Sequence, residues 1–334
     1  MAMASIESLP WIEKYRPKKI DDISAQEETV RVLKKSLVSH NLPHLLFYGP
    51  PGTGKTSSIL ALARELYGPE MFKSRVLELN ASDERGISVI REKVKNFARV
   101  NVSKNTNSEY PCPPYKIIIL DEADSLTSDA QAALRRTMET YSKVTRFCLI
   151  CNYVTRIIEP LSSRCAKFRF RPISTDLCID RVKFICEKEG LNYQLEAINR
   201  LIEISAGDLR KAIMYLQSAQ QFYQDQFITA PAIETIAGVI PDPVIENIFQ
   251  ALGTNQADQL YDAVTHLMNE GYAADSLLSR MHDRMVNMNH LTSLQKARIA
   301  QHIGAVDKCL SEGADEELQL LDLFFTVARI LVNC

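Results

Sequence analysis

Eight consecutive residues of this 334-residue chain, Gly49, Pro50, Pro51, Gly52, Thr53, Gly54, Lys55 and Thr56, put three glycines, a lysine and two threonine hydroxyls directly after the apolar run HLLFY. The pattern is GxxxxGK[ST] between a strand and a helix. Its glycines let backbone N–H groups converge on phosphate oxygens, the lysine reaches the terminal phosphates, and the threonine hydroxyl ligates Mg²⁺. Further on, the apolar stretch of IIILDEAD ends in acids. Asp121 is a carboxylate able to hold the metal's ligand shell, and Glu122 is placed to orient and deprotonate an attacking water. Adjacent acids at a strand end also fit a plain strand-to-helix turn; together with the glycine-rich loop they fit hydrolysis of a nucleoside triphosphate. Asn152 follows the apolar run TRFCLIC. A lone Asn there is more often a turn residue, but the carboxyl ends of parallel strands form the ligand edge of such sheets, and beside the glycine-rich loop its amide would touch the terminal phosphate or the water.

These groups meet only if several strand ends lie side by side. HLLFYG (44–49), RVLELN (75–80), YKIIILD (115–121) and TRFCLICN (145–152) read as strands, the third apolar almost throughout, as a strand covered on both faces must be. Helical patterns near 55–67, 86–100 and 127–141 alternate with them, which predicts a right-handed α/β core around a parallel sheet. The polar, Pro-rich 101–114 reads as a surface loop. After 166–174 the pattern becomes helical, with Gly190 and Gly207 as C-caps. A second boundary falls at VIPDP (239–243), whose prolines resist helix continuation. Beyond it the chain is helical again, with Leu318, Leu321, Phe325, Ala328 and Leu331 as periodic apolar positions. The expected organisation is an α/β domain over 1–171, a small helical domain over 172–238 and an all-helical domain over 239–334.

The formal charge of −2 hides an asymmetry. Residues 1–171 hold 27 Lys and Arg against 19 Asp and Glu, a net +8, and residues 172–334 hold 12 against 22, a net −10. A nucleic-acid surface belongs in the basic half. No apolar run approaches the roughly 18–20 residues needed to span a bilayer, and the start, MAMASIESLPWIEKYRP, has neither the basic nor the apolar region of a secretory signal. Cys148 and Cys151 form a CxxC, but on a strand their side chains face opposite ways and no second Cys or His pair stands nearby. They read as buried free thiols in a reduced, intracellular protein.

Taken together, GPPGTGKT, DEAD, Asn152, Ser163-Arg164-Cys165 and Gly207-Asp208-Leu209-Arg210 resemble the AAA+ ATPases of sliding-clamp loaders. WIEKYRP (11–17) and ELNASDERG (78–86) are similar to the small subunits of replication factor C. The resemblance covers nearly all of residues 10–240; the C-terminal third matches in length and helical character. It implies an AAA+ domain, a helical lid and a C-terminal collar, with ATP and Mg²⁺ as cofactors. Ile12 and Arg16 would border the adenine, and the loop from Gly49 to Ser57 would wrap the phosphates. Asn152 would be sensor 1, and Arg210, on the lid, sensor 2. Arg164 would be an arginine finger in the neighbouring subunit's site, a device worth roughly 10³–10⁵ in rate where it has been defined; on its residues alone it is equally a solvated Arg near a helix end. The implied partners are other replication factor C subunits in a hetero-oligomeric, pentameric ring, the sliding clamp PCNA and primer–template DNA, in the nucleus and without a membrane.

Helix 86–100 carries Ile87, Ile90, Val94 and Phe97 on one stripe and Arg91, Lys95 and Arg99 on another, about 120° away. With Arg85 at the helix start, this second stripe suits phosphate tracking better than base stacking, since no aromatics interleave. A solvated basic face is the bland reading; the resemblance implies contact with the duplex backbone inside the ring. Gln131, Arg135 and Arg136, just after the acidic run, suit a relay between DNA and Glu122. Two rivals remain: a AAA+ DNA motor such as a branch-migration helicase, and an assembly module that binds ATP without hydrolysing it.

Overall fold

The computed structural model describes residues 9–332 except 24, 40, 83–86, 100–109, 225, 255 and 290, and the side chains of 87–91 and 332. The chain divides into two compact units, Met1–Ile228 and Thr229–Cys334. The expected break near residue 171 falls inside the first.

The first unit is built on five parallel strands: β1 (Leu45–Tyr48), β2 (Val76–Asn80), β3 (Lys116–Asp121), β4 (Thr145–Cys151) and β5 (Ala166–Arg169), in spatial order β2-β3-β4-β1-β5. Pairing of Tyr48 with Cys151 and of Leu120 with Leu149 brings the carboxyl ends of β1, β3 and β4 to one edge. The fifth strand is not announced by an apolar run. AKFR alternates half-buried with exposed residues because it lies at the sheet's edge, with one neighbour, β1.

Helices α2 (Glu27–Ser39), α3 (Lys55–Arg75), α4 (Ile87–Arg99), α5 (Ser128–Tyr141) and α6 (Glu159–Ser162) flank the sheet, and α1 (Trp11–Lys14) precedes them in the chain. Ile117, Ile119 and Cys148 face Leu33 of α2 and Ile59 of α3, whereas Ile118, Leu120 and Cys151 face Val94 of α4 and Leu134 of α5. The two cysteines thus lie on opposite faces, and the seven cysteines among the described residues are all free. Each large aliphatic side chain buried this way contributes about 1.5–3 kcal/mol. α3 runs on to Arg75, past the expected end at 67, because Gly68, with φ 63, kinks it before Pro69 and the helix resumes.

Three further helices, α7 (Thr175–Glu189), α8 (Leu195–Ser205) and α9 (Leu209–Tyr223), pack through Val182, Ile198 and Leu216. Gly190 ends α7 in the left-handed region as expected, at φ 66. At the end of α8 that conformation falls on Ala206, φ 48, one residue ahead of the expected Gly207. Asp208 caps α9, its Oδ1 accepting from the amides of Arg210 (2.9 Å) and Lys211 (3.3 Å). These helices also hold the N-terminal segment: the Trp11 amide donates to Gln217 at 3.0 Å, Lys14 pairs with Glu189 at 2.6 Å, and Arg181 donates to the Tyr15 carbonyl at 2.7 Å.

The second unit contains α10 (Ala230–Ala237), and then α11 (Asp242–Thr254), α12 (Ala257–Glu270), α13 (Ala274–Asn287), α14 (Ser293–Ser311) and α15 (Glu316–Val332) around one apolar core. In α15 the buried stripe is Leu320, Leu323, Phe324, Val327 and Ala328; of the expected positions Ala328 lies in it, Leu321 and Leu331 pack partly buried against the core, and Leu318 and Phe325 are exposed. The sequence of this helix is apolar on more than one face, so its period admits two stripes and packing selects between them. Among the described residues, no helix is long and apolar enough to cross a membrane.

Candidate active site

The loop after β1 owes its shape to its glycines. Gly49, Gly52 and Gly54 have φ of 146°, 69° and 87°, values that a side chain would oppose. A Cβ on Gly49 would lie 2.2 Å from the Phe170 carbonyl oxygen, and one on Gly52 would lie 1.9 Å from Oδ1 of Asp208. Nothing lies within 4 Å of the corresponding point on Gly54, so that stretch of backbone is open to a ligand. The loop ends where α3 begins, and the free N–H groups of a helix start favour an anion there.

Lys55, only 8% exposed, donates from Nζ to the carbonyls of Gly49 (2.7 Å) and Pro50 (2.8 Å) and to Oδ1 of Asn152 (3.0 Å). Burial pushes its ammonium below the ordinary lysine range, and the nearby Asp121 carboxylate pulls the other way. The hydroxyl of Thr56 donates to Oδ2 of Asp121 at 2.7 Å, while Oδ1 of Asp121 accepts the Glu122 amide at 2.9 Å. A hydroxyl and a carboxylate this close are hard oxygen donors of the kind Mg²⁺ takes when phosphates and waters supply the rest of its shell.

Glu122 has left-handed backbone, φ 52 and ψ 38, unusual for a residue with a Cβ. The turn it opens is closed by Ser125, whose Oγ donates to the Glu122 carbonyl at 2.8 Å. Asp124, which the sequence did not single out, accepts from the amides of Asn152 and Tyr153, both at 3.1 Å, and so ties the end of β4 to the acidic turn. Its signal was only its place in the DEAD run.

One cavity collects these groups. Ile12, Arg16, Pro51, Gly52, Thr53, Gly54, Lys55, Thr56, Ser57, Asp121, Glu122, Asn152 and Arg210 all line it. Gly49 and Pro50 lie behind it and face Lys55 through their carbonyls. Tyr15, Leu177, Arg181, Leu209 and Ile213 also line it; Tyr15 and Leu209 lie within the segments WIEKYRP and Gly207–Arg210, whereas no motif marks Leu177, Arg181 and Ile213, which come from the helices over the loop.

The remaining candidates lie elsewhere. Lys95 and Arg99 are exposed on α4, opposite the buried Val94 and Ala98; Arg85 and the Arg91 side chain lie outside the described residues. Gln131 is 1% exposed. Its Nε2 donates to the carbonyls of Leu126 (3.1 Å) and Arg156 (3.0 Å), and its Oε1 accepts from Ile158 at 2.8 Å. It is a clasp between the segment after Glu122 and the segment after Asn152. Arg135 is half-buried, Arg136 is exposed, and Arg164 lies exposed after α6.

Comparison with known proteins gives three family matches along the chain. The model of the ATPase family associated with various cellular activities (AAA) matches residues 45–173, that of the RCF1/5-like AAA+ ATPase lid domain 180–220, and that of the replication factor C C-terminal domain 240–326. Replication factor C subunit 4 of Homo sapiens is 57% identical over 98% of this chain and 90% of its own length. Replication factor C subunit 2 of Schizosaccharomyces pombe is 53% identical over 97% and 95%. Among solved structures, the Thermotoga maritima RuvB Holliday junction branch migration motor shares the fold, with a TM-score of 0.51 and 16% identity over 70% of this chain and 78% of that one. A likeness of that size speaks for architecture alone. Full-length kinship together with a nucleotide-binding AAA domain settles the family: the chain belongs to the small subunits of replication factor C, the clamp loader.

Proposed function

We propose that this subunit hydrolyses ATP with Mg²⁺ inside an assembled ring of replication factor C subunits, a heteropentamer, and that hydrolysis releases a sliding clamp, PCNA, onto primer–template DNA in the nucleus. The observation that carries this reading is the convergence of Lys55, Thr56, Asp121, Glu122, Asn152 and Arg210 on one cavity. Glu122 accepts the proton of the attacking water, and Asn152 orients that water or the terminal phosphate. Lys55 and Arg210 stabilise charge on the transferred phosphoryl group. Thr56 and Asp121 would hold the metal, which when bound neutralises charge across the phosphates. Ile12 and Arg16 border the base, and Gly49 to Ser57 enclose the phosphates.

Arg164 acts in trans. It does not line this chain's own cavity and lies exposed after α6, on the surface a neighbour can meet, so hydrolysis depends on assembly. Arg85, Arg91, Lys95 and Arg99 take the DNA backbone, and Gln131, Arg135 and Arg136 relay its arrival to Glu122. Residues 1–171 serve as the ATPase domain, 172–238 as its lid and 239–334 as the collar that holds subunits together. The collar residues beyond 240 carry 6 basic and 13 acidic groups, which suits a surface away from DNA.

The reading is tested by Glu122→Gln in the reconstituted complex. ATP should still bind, hydrolysis at this site should fall about 10²–10⁴-fold, and loaded clamps should stay bound to the loader. Loading and release at the wild-type rate would leave only the assembly-module rival.

A further inference from the structure

Arg164 is not free in this chain. Its Nη2 lies 2.6 Å from Oε1 of Glu139, and its Nη1 donates to the Pro160 carbonyl at 2.5 Å. Two anchors on a planar, rigid fork fix its direction, which one contact to a flexible lysine would not do. The same Glu139 oxygen is 3.3 Å from Nε of Arg135, one turn earlier on α5. That nitrogen is buried and makes no hydrogen bond among the described residues, so the ion pair is what answers its charge. One carboxylate therefore stands between the arginine assigned to the neighbour's site and an arginine assigned to the relay. All three side chains are 38–40% exposed, which keeps each pair weak enough to exchange.

We propose that Glu139 is a positioning residue that holds Arg164 against α5 and gives it up to the triphosphate of the neighbouring subunit. A triphosphate carries several charges and takes the guanidinium in a water-poor site, where a half-exposed carboxylate does not hold it. On transfer, Oε1 of Glu139 is left to Arg135 alone. Arg135 sits on the same helix as Gln131, whose hydrogen bonds join the segments following Glu122 and Asn152. Occupancy of one subunit's site is thereby felt on the helix beside the next subunit's catalytic acid. The proposal rests on the reading that Arg164 acts in trans.

The test is steady-state ATPase of the reconstituted complex carrying Glu139→Gln, with and without primed DNA and clamp. An exposed ion pair of this kind is worth about a two- to five-fold effect. The rate without DNA should rise by that factor, so that stimulation by DNA shrinks. Glu139→Asp, which keeps the charge, should restore most of the wild-type ratio. In an Arg164→Ala background, Glu139→Gln should change nothing, because the arginine it restrains is gone; a merely structural helix residue would show its effect in both backgrounds. An unchanged rate for Glu139→Gln, or an equal shift with and without Arg164, overturns the role of Glu139. An unchanged rate for Arg164→Ala alone overturns the trans reading beneath it.

Discussion

The two ends of the sheet each hold a buried lysine among other polar groups and use it differently. At the carboxyl end, Lys55, Asp121, Asn152 and Arg210 all line one cavity; Lys55 donates to Asn152 and Thr56 to Asp121, and the groups still open onto space a ligand can fill. At the amino end, Lys116, 4% exposed, donates to the Phe97 carbonyl at 3.0 Å and lies 4.5 Å from the centre of the Phe97 ring. Arg146 donates to the Leu42 carbonyl at 2.5 Å and covers the Tyr115 ring, while the Tyr67 hydroxyl donates to the Tyr115 carbonyl at 2.8 Å. Burial lowers the pKa of Lys55 and of Lys116 alike. A buried, perturbed lysine is therefore no mark of function by itself; what separates the two is whether its partners close the account internally or open onto a cavity.

Replacing each lysine in turn sharpens that contrast most. Lys55→Ala should lower ATPase of the assembled ring by about 10²–10³-fold, as loss of a preorganised charge donor does, with little change in thermal stability. Lys116→Met should do the reverse. It removes a donor to one of the last carbonyls of α4, which costs about 1–2 kcal/mol, and hydrolysis per folded ring at pH 7 should be unchanged. A Lys116→Met ring with intact stability but impaired hydrolysis would erase the distinction between the two ends.

A smaller effect separates two glycines with nearly the same backbone. Gly52 (φ 69) and Gly190 (φ 66) both occupy the left-handed region, but a Cβ on Gly52 meets Asp208 whereas one on Gly190 meets nothing within 4 Å. Alanine at Gly190 should cost about 1–2 kcal/mol of stability and leave ATP affinity alone. Alanine at Gly52 adds displacement of Asp208, the cap that fixes the start of the helix bearing Arg210, so ATP binding should weaken by about ten-fold, roughly 1.4 kcal/mol. Equal ATP affinities for the two variants, read by titration with a fluorescent ATP analogue, would show that the cap does not matter to the site.

The carboxyl end was legible in the sequence because its chemistry restricts residue type at fixed spacing. A loop with positive φ at Gly49, Gly52 and Gly54, followed by Lys55 and Thr56, has few substitutes, and the apolar run before Asp121 declares a strand buried on both faces. Asp208 against Gly52 was hidden, because that contact joins residues far apart in the chain and either one alone reads as an ordinary cap or turn. Glu139 was hidden for the opposite reason: a carboxylate four residues after an arginine on a helix is a common solvated pair, and only the turn after α6 brings Arg164 to it. β5 escaped because AKFR lacks the apolar run of its neighbours, and the buried face of α15 was only partly legible because its period fits two stripes. Patterns fix which faces can be buried; long-range packing decides which ones are.

The faintest difference between the two ends lies in their response to pH. His44, just before β1, accepts the Phe147 amide at Nδ1 over 3.1 Å, a bond that requires that nitrogen to be unprotonated. Burial, aided by the charge of Arg146, pushes its pKa down to about 4 from an unfolded value near 6.5. Between those values the unfolded chain binds the extra proton and the folded chain does not, so stability is full above pH 6.5, falls as the pH drops toward 4 and levels off below. Because the ring is partly exposed, solvent screening reduces the expected loss to about 1–2 kcal/mol. His44→Asn keeps an acceptor near Nδ1 but cannot titrate. Urea unfolding followed by the fluorescence of Trp11, the chain's one tryptophan, should give a wild-type curve that falls more steeply than the variant's from pH 6.5 to 4, with equal ring ATPase at pH 7. Parallel curves would mean that the His44 ring is protonated in place and that the amino end of the sheet admits charge as readily as the carboxyl end.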